Sequence, residues 1–86
     1  MVKRGPHWMR MKDVYILRFF NETGAAVNVD VAYHNLVEVG EFEFSKATVS
    51  RRVRKLYQEG YLERTDEPRG YYRISDEGRE FLNEWS

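Results

Sequence analysis

Apolar positions in the first half of the chain recur at helical spacing and predict two short helices. The first covers about residues 11–21. One face of it carries four positions at i, i+3, i+4 and i+7, of which the last three are apolar: Asp13, Ile16, Leu17 and Phe20. Gly24 should end this helix, because glycine adopts the left-handed cap conformation at little cost. The second helix covers about residues 29–39, with Asn28 as its N-cap and Gly40 at its end.

A third predicted helix has the clearest amphipathic pattern in the chain. Ser45 caps it, it runs to about residue 59, and Gly60 follows it. Its apolar stripe has i, i+4, i+7 spacing and consists of Val49, Val53 and Leu56. At about 100° per residue, four other side chains point away from that stripe: Ala47, Arg51, Arg54 and Lys55.

After residue 60 the pattern changes from helical spacing to alternation. Residues 61–65 and 71–75 predict two strands, and the DEPRG stretch between them contains the proline and glycine of a turn. The inward residues of this hairpin should be Leu62, Tyr72 and Ile74. A last helix follows, capped by Ser75 or Asp76, and its apolar positions are Phe81, Leu82 and Trp85.

The order of elements predicts a mainly α fold with a small β-hairpin. Three helices, of which the third is basic, a two-stranded ribbon and a C-terminal helix make up the winged helix-turn-helix arrangement. With 86 residues the chain supports one domain. We expect it to cover residues 9–86, preceded by a basic arm over residues 1–8 in which Gly5 and Pro6 break regular structure.

The distribution of charged residues along the chain is more informative about function than the net charge. The chain has 14 Lys and Arg against 14 Asp and Glu, so its formal net charge is zero. Residues 21–44 nevertheless contain five acids and no Lys or Arg, whereas residues 45–64 contain six bases and two acids. Such blocks predict one positive face on a neutral molecule.

The third helix is the candidate for that positive face. A solvated helix face normally mixes both signs of charge at i, i+4, yet residues 45–58 contain no acid. The major groove of DNA admits one α-helix, whose N-terminal residues reach base edges. Small or polar residues near its start suit that role, and Arg51 could bond a guanine edge. We therefore expect DNA contacts from Ser45, Lys46, Ala47, Thr48, Ser50 and Arg51 to bases, and from Arg52, Arg54 and Lys55 to phosphates.

The hairpin adds three more candidate contacts to the DNA backbone: Arg64, Arg69 and Arg73. Its turn, at Pro68, Arg69 and Gly70, could lie along a strand or enter a minor groove. Asp66 and Glu67 weaken this expectation because they repel phosphate. The prediction that the partner is double-stranded DNA thus depends mainly on the third helix.

Other chemistries find little support in the sequence. There is no cysteine, and His7 and His34 are far apart without a close acid–histidine spacing, so we expect no metal site. Phosphate-cradling glycine loops and hydrolase motifs are missing, so we expect no enzyme activity, no cofactor and no small-molecule ligand. The chain has no apolar run near 20 residues and no signal-peptide pattern, which predicts a cytoplasmic protein associated with the nucleoid.

Two other kinds of partner remain open. Winged helices also serve as protein–protein interaction modules, although such modules usually lose the run of arginines that this chain keeps. Binding of RNA or single-stranded DNA would need exposed rings for stacking, and the candidates are Tyr61, Tyr71 and Tyr72. A homodimer is also expected, because one helix in one groove makes few contacts; Trp8 and Trp85 could supply its interface.

Several motifs, taken together, resemble one known family. They are WM at residues 8–9, Asp13 with Ile16 and Leu17, NL at 35–36, TVSRRVRKL at 48–56, G.LE at 60–63, GYYRIS at 70–75 and DEGREFL at 76–82. This set resembles the small winged-helix regulators of halophilic archaea and their viruses, related to the phage phi-H repressor. The resemblance covers about residues 7–83 and implies a DNA-binding transcription regulator whose recognition helix includes Ser45 to Lys55. Family members often have Ser or Thr where this chain has Arg10.

Overall fold

In the computed structural model, residues 5–40, 42–66 and 69–85 are described. Helix α1 spans Met11–Thr23, strand β1 Val27–Asn28 and helix α2 Val29–Tyr33, which continues as a π-helical segment over His34–Val39. Helix α3 spans Lys46–Gln58, strands β2 and β3 span Leu62–Arg64 and Tyr71–Ile74, and helix α4 spans Asp76–Glu84. The predicted mainly α winged helix-turn-helix architecture is confirmed, with three additions: a third strand, a π-helical segment and a packed N-terminal turn.

The apolar stripe of α1 is the centre of the core. Ile16, Leu17 and Phe20 are fully buried, as their spacing predicted. Gly24 ends the helix in the left-handed conformation, with φ 63°, and its N–H donates to the Phe20 carbonyl at 3.1 Å. Asp13, the polar member of the same stripe, is equally buried. An acid at a core position needs a partner, and α3 supplies it.

The second helix begins where the sequence predicted but changes geometry within its length. The Asn28 side chain accepts a hydrogen bond from the Val31 N–H at 2.9 Å, which caps α2. From His34 onward the hydrogen bonds follow the wider π pattern, and the Gly40 N–H donates to the Asn35 carbonyl at 2.9 Å. The hydrophobic spacing of residues 29–39 cannot distinguish these two geometries over so few turns.

The predicted hairpin forms and gains a third strand. Strands β2 and β3 are antiparallel, with Leu62 opposite Ile74 and Arg64 opposite Tyr72. Strand β1 pairs antiparallel with the other edge of β3, which gives the order β1-β3-β2. All three predicted inward residues of the hairpin are buried: Leu62, Tyr72 and Ile74. The third strand has only two residues, too few for an alternating pattern to reveal it.

The C-terminal helix packs beneath the start of the chain. Ser75 caps α4 by accepting from the Gly78 N–H at 3.0 Å, and Phe81 is buried in the core. Gly5 lies so close to Phe81 that a Cβ built on it would be 3.2 Å from the ring. The domain boundary at residue 8 stays a prediction; Gly5, Pro6 and Trp8 are half-buried against the domain, whereas His7 is exposed. Residues 1–4 of the predicted arm lie outside the described residues.

The two tryptophans proposed for a dimer interface are half-buried within their own chain. The Trp8 ring lies 6.0 Å from the Tyr61 ring, and the Trp85 ring lies 5.5 Å from the Phe81 ring. Both therefore contribute to the core periphery instead of standing free at the surface. Within the described part of the chain, no helix is both long and apolar enough to cross a membrane.

Candidate nucleic-acid interface

Helix α3 is fixed on the domain by one face and presents the other to solvent. Its Ser45 Oγ accepts from the Thr48 N–H at 3.0 Å, so the first turn is capped as predicted. The predicted stripe of Val49, Val53 and Leu56 is fully buried, and the helix packs against α1, α2 and β2. Side chains on the opposite face of the helix, such as Arg51 and Arg54, consequently lie on the outer surface.

The predicted site residues fall into three groups by exposure. Five residues at the start and on the outer face of α3 are exposed: Ser45, Lys46, Ala47, Arg51 and Arg54. Four others on this helix are half-buried: Thr48, Ser50, Arg52 and Lys55. The three wing arginines are exposed: Arg64, Arg69 and Arg73. The fold therefore exposes the three wing arginines and three cations of α3, whereas Arg52 turns inward. The three cations are Lys46, Arg51 and Arg54.

The cations of α3 differ in what they contact. Lys46 forms an ion pair with Asp30 at the start of α2, and Lys55 lies 3.4 Å from Glu59. Among the described residues, Arg51 and Arg54 have no ion-pair partner. Two guanidinium groups on one exposed helix face are thus available to a ligand.

Arg52 binds other residues of the domain, whereas its expected role as a phosphate contact requires a guanidinium that is available to DNA. Its Nε donates to Asp13 Oδ1 at 2.7 Å, its Nη2 donates to Oδ2 at 2.5 Å, and Nη2 also donates to the Trp8 carbonyl at 3.2 Å. The hydrogen bonds to Asp13 raise the pKa of Arg52 above its ordinary value, although desolvation acts in the opposite direction. Arg52 therefore joins α3 to α1 and to the chain before α1.

Asp13 is the residue at this interface that sequence reasoning missed. Besides binding Arg52, its Oδ2 accepts from the Arg10 N–H at 2.8 Å, so one carboxylate caps α1 and anchors α3. The signal was present, because Asp13 shares the helical stripe of Ile16 and Leu17. An acid on an apolar stripe predicts a buried partner, but its identity, 39 residues further along the chain, is not visible in the pattern.

The wing arginines make weaker internal contacts. The Arg73 Nε donates to Glu63 at 3.1 Å across the β2–β3 pair, and the Arg64 guanidinium lies 5.1 Å from the centre of the Tyr57 ring. Arg69 is exposed beside Gly70, whose φ of 79° is the left-handed conformation of the turn. Glu67 and Pro68 of the predicted wing tip lie outside the described residues.

The tyrosines considered for base stacking are mostly occupied by the fold. Tyr72 is buried, and its ring lies 5.9 Å from that of Tyr57. Tyr61 is half-buried between Trp8 and Phe81. Only Tyr71, which is half-buried in β3, has no ring contact among the described residues. This arrangement does not favour binding of single-stranded nucleic acid by stacking.

Comparison with known proteins gives two findings. The model of a winged helix-turn-helix phage repressor family matches residues 1–85. The fold is also similar to the crystal structure of the PhiH1 repressor-like protein from Haloarcula marismortui, with a TM-score of 0.76 and 32% sequence identity. The match covers 96% of this chain and 85% of that one. No curated protein matches the chain.

Proposed function

The chain belongs to the winged helix-turn-helix phage repressor family, and on that premise we propose that it is a sequence-specific repressor of transcription that binds double-stranded DNA. The observation that carries the proposal is the outer face of α3. It presents Arg51 and Arg54 without an internal ion pair, on a helix held rigidly by its buried stripe. A cytoplasmic location at the nucleoid follows from this function.

Within this proposal, α3 reads bases in the major groove. Arg51 lies near the N-terminal half of the helix, where a recognition helix approaches base edges, and its fork of donors matches guanine O6 and N7. Contacts near the helix start come from the exposed Ser45, Lys46 and Ala47, with Thr48 and Ser50 contributing less because both are half-buried. Arg54 and Lys55 hold phosphates; Arg52 is left out because it binds Asp13.

The wing holds the DNA backbone without reading sequence. Arg69 is exposed at a turn, and Arg64 and Arg73 are exposed on the two strands that lead to it. Arg73 forms an ion pair with Glu63, so its charge is partly balanced in the absence of DNA. We propose that two copies of the chain bind two half-sites, since symmetry doubles the contacts of a single helix.

The test separates base reading from backbone contact. A footprint on DNA upstream of the protein's own gene identifies the bound sequence, and affinities of variants are then measured for that duplex and for a scrambled one at several salt concentrations. Arg51→Ala should cost about 1–3 kcal/mol on the bound sequence and remove much of the preference for it. Arg69→Ala should weaken both duplexes alike and reduce the salt slope by about one.

Arg79→Ala is the matched control, because Arg79 is an exposed arginine on α4, away from α3 and the wing. It should change neither affinity nor preference. Equal weakening of both duplexes by Arg51→Ala would mean that α3 holds the backbone and does not read bases. Absence of a protected region at every salt concentration would favour the protein–protein interaction module instead.

A further inference from the structure

A basic hollow lies where the first turn of α1 meets the outer face of α3. Its volume is about 250 Å³, and it is lined by Arg10, Met11, Lys12, Thr48, Arg51 and Arg52. Four of these six side chains are basic. The nearby acid, Asp13, is fully buried and its charge is balanced by Arg52, so it does not offset the charge of the other three. The hollow is therefore a concentrated positive site.

Arg10 and Lys12 are the cations of this hollow that the proposed role of α3 does not use. Both are exposed, and neither has an ion-pair partner among the described residues. The Lys12 Nζ lies 5.7 Å from the centre of the Phe44 ring, a contact that does not neutralise its charge. Two positive groups, one just before α1 and one in its first turn, thus converge on the side of α3 that carries Arg51.

The backbone of α1 contributes to the same site. The N–H groups of the first helical turn have no acceptor within the helix, and the helix dipole places partial positive charge there. Asp13 accepts a hydrogen bond from the Arg10 N–H, so the N–H groups of Met11 and Lys12 remain at the N-terminal end of the helix. Backbone N–H groups with flanking cations are the donors that recur at phosphate sites.

We propose that this hollow binds one backbone phosphate of the DNA, with Arg10 and Lys12 as its ligands. The inference rests on the proposed function and extends it, because it makes α1 a third DNA-contacting element beside α3 and the wing. Arg51 borders the hollow, so the bound phosphate would lie next to the groove that α3 enters. The contact would fix how deeply and at what angle α3 lies in that groove, without adding sequence information.

The size of the effect follows from counterion release. Each phosphate neutralised on duplex DNA contributes about 0.9 to the slope of log affinity against log salt. At 0.1 M salt that slope corresponds to about an eightfold gain in affinity for one contact. Removing the contact should therefore weaken binding by up to about eightfold and make it less sensitive to salt.

The experiment measures binding of the full chain to a short mixed-sequence duplex by fluorescence anisotropy, at salt concentrations between about 50 and 200 mM. The test variants are Lys12→Gln and Arg10→Gln, each checked for its helix content and melting temperature. Lys12→Arg keeps the charge and should bind like the unaltered protein. Arg18→Gln removes an exposed cation from the same helix outside the hollow and should have little effect.

Each test variant should lower the salt slope by part of the roughly 0.9 that one phosphate contributes, and the double variant should lower it by all of that amount, whereas Arg18→Gln should leave the slope unchanged. If Arg54→Gln lowers the slope but both test variants leave it unchanged, the phosphate site is wrong and the proposed function stands. If the unaltered protein does not bind at any salt concentration, the proposed function fails and this inference with it. Amide resonances of Met11 and Lys12 in the unaltered protein give a second readout: they should shift on adding duplex, and constancy would overturn the proposal.

Discussion

Replacing Asp13 with alanine should destabilise the domain more than any other single change to a charged residue. The carboxylate is fully buried and accepts three hydrogen bonds of 2.5–2.8 Å, two from Arg52 and one from the Arg10 N–H. Its removal leaves a guanidinium group without its partner at the junction of α1 and α3. It also leaves the first turn of α1 uncapped.

The magnitude can be worked from these contacts. Removing one partner of a buried ion pair costs about 3–5 kcal/mol, because the other charge stays buried and unpaired. The Arg52 side chain is 20% exposed, so water can reach part of it, and the lower end, about 3 kcal/mol, applies. For a domain of this size, that loss lowers the melting temperature by about 12–24 °C. Asp13→Asn keeps an acceptor for the Arg10 N–H and should cost about 1 kcal/mol less.

The assay is urea unfolding followed by circular dichroism, in a double-mutant cycle of Asp13→Ala with Arg52→Met. The double variant has no unpaired charge, so it should be more stable than the sum of the two single losses predicts. We expect a coupling free energy of about 2 kcal/mol. Glu22→Ala, an exposed acid on the same helix, is the control and should change stability by less than about 0.5 kcal/mol. A coupling below about 0.5 kcal/mol would refute the role assigned to this ion pair.

Three further changes test other parts of the structure. Ser75→Ala should lower the free energy of unfolding by more than Ser45→Ala, for which we expect a loss of about 1 kcal/mol. The reason is that the Ser75 hydroxyl is buried, caps α4 and donates to a carbonyl at 2.6 Å. Equal losses in thermal melts would contradict this. Gly78→Ala should lower the free energy of unfolding by about 1–3 kcal/mol despite the better helix propensity of alanine, because a Cβ there would collide with the Tyr61 carbonyl oxygen; a higher melting temperature would contradict it. Glu63→Gln should raise affinity for any duplex by freeing Arg73, and unchanged affinity would exclude Arg73 from the DNA contacts.

Local pattern was enough to determine most of the fold. The stripe of Val49, Val53 and Leu56, the cap at Ser45 and the alternation after Gly60 each depend on residues close in sequence, where helical and extended periods are distinct. The buried members of α3 and the hairpin were therefore predicted correctly, and the winged-helix architecture followed from their order. The exposure of Arg51 and Arg54 was also predictable, because both lie on the face of α3 opposite the buried stripe.

Tertiary structure alone decided which charges are available to a ligand. A sequence shows that Arg51 and Arg52 are adjacent basic residues, but neighbours on a helix point about 100° apart, and only one of them meets a buried acid. The pairing of Arg52 with Asp13 and the convergence of Lys12 with Arg51 both join α1 to α3 across more than 35 residues. Periodicity records the face on which each side chain lies, whereas contacts between elements depend on how those faces pack, which is a property of the whole folded chain.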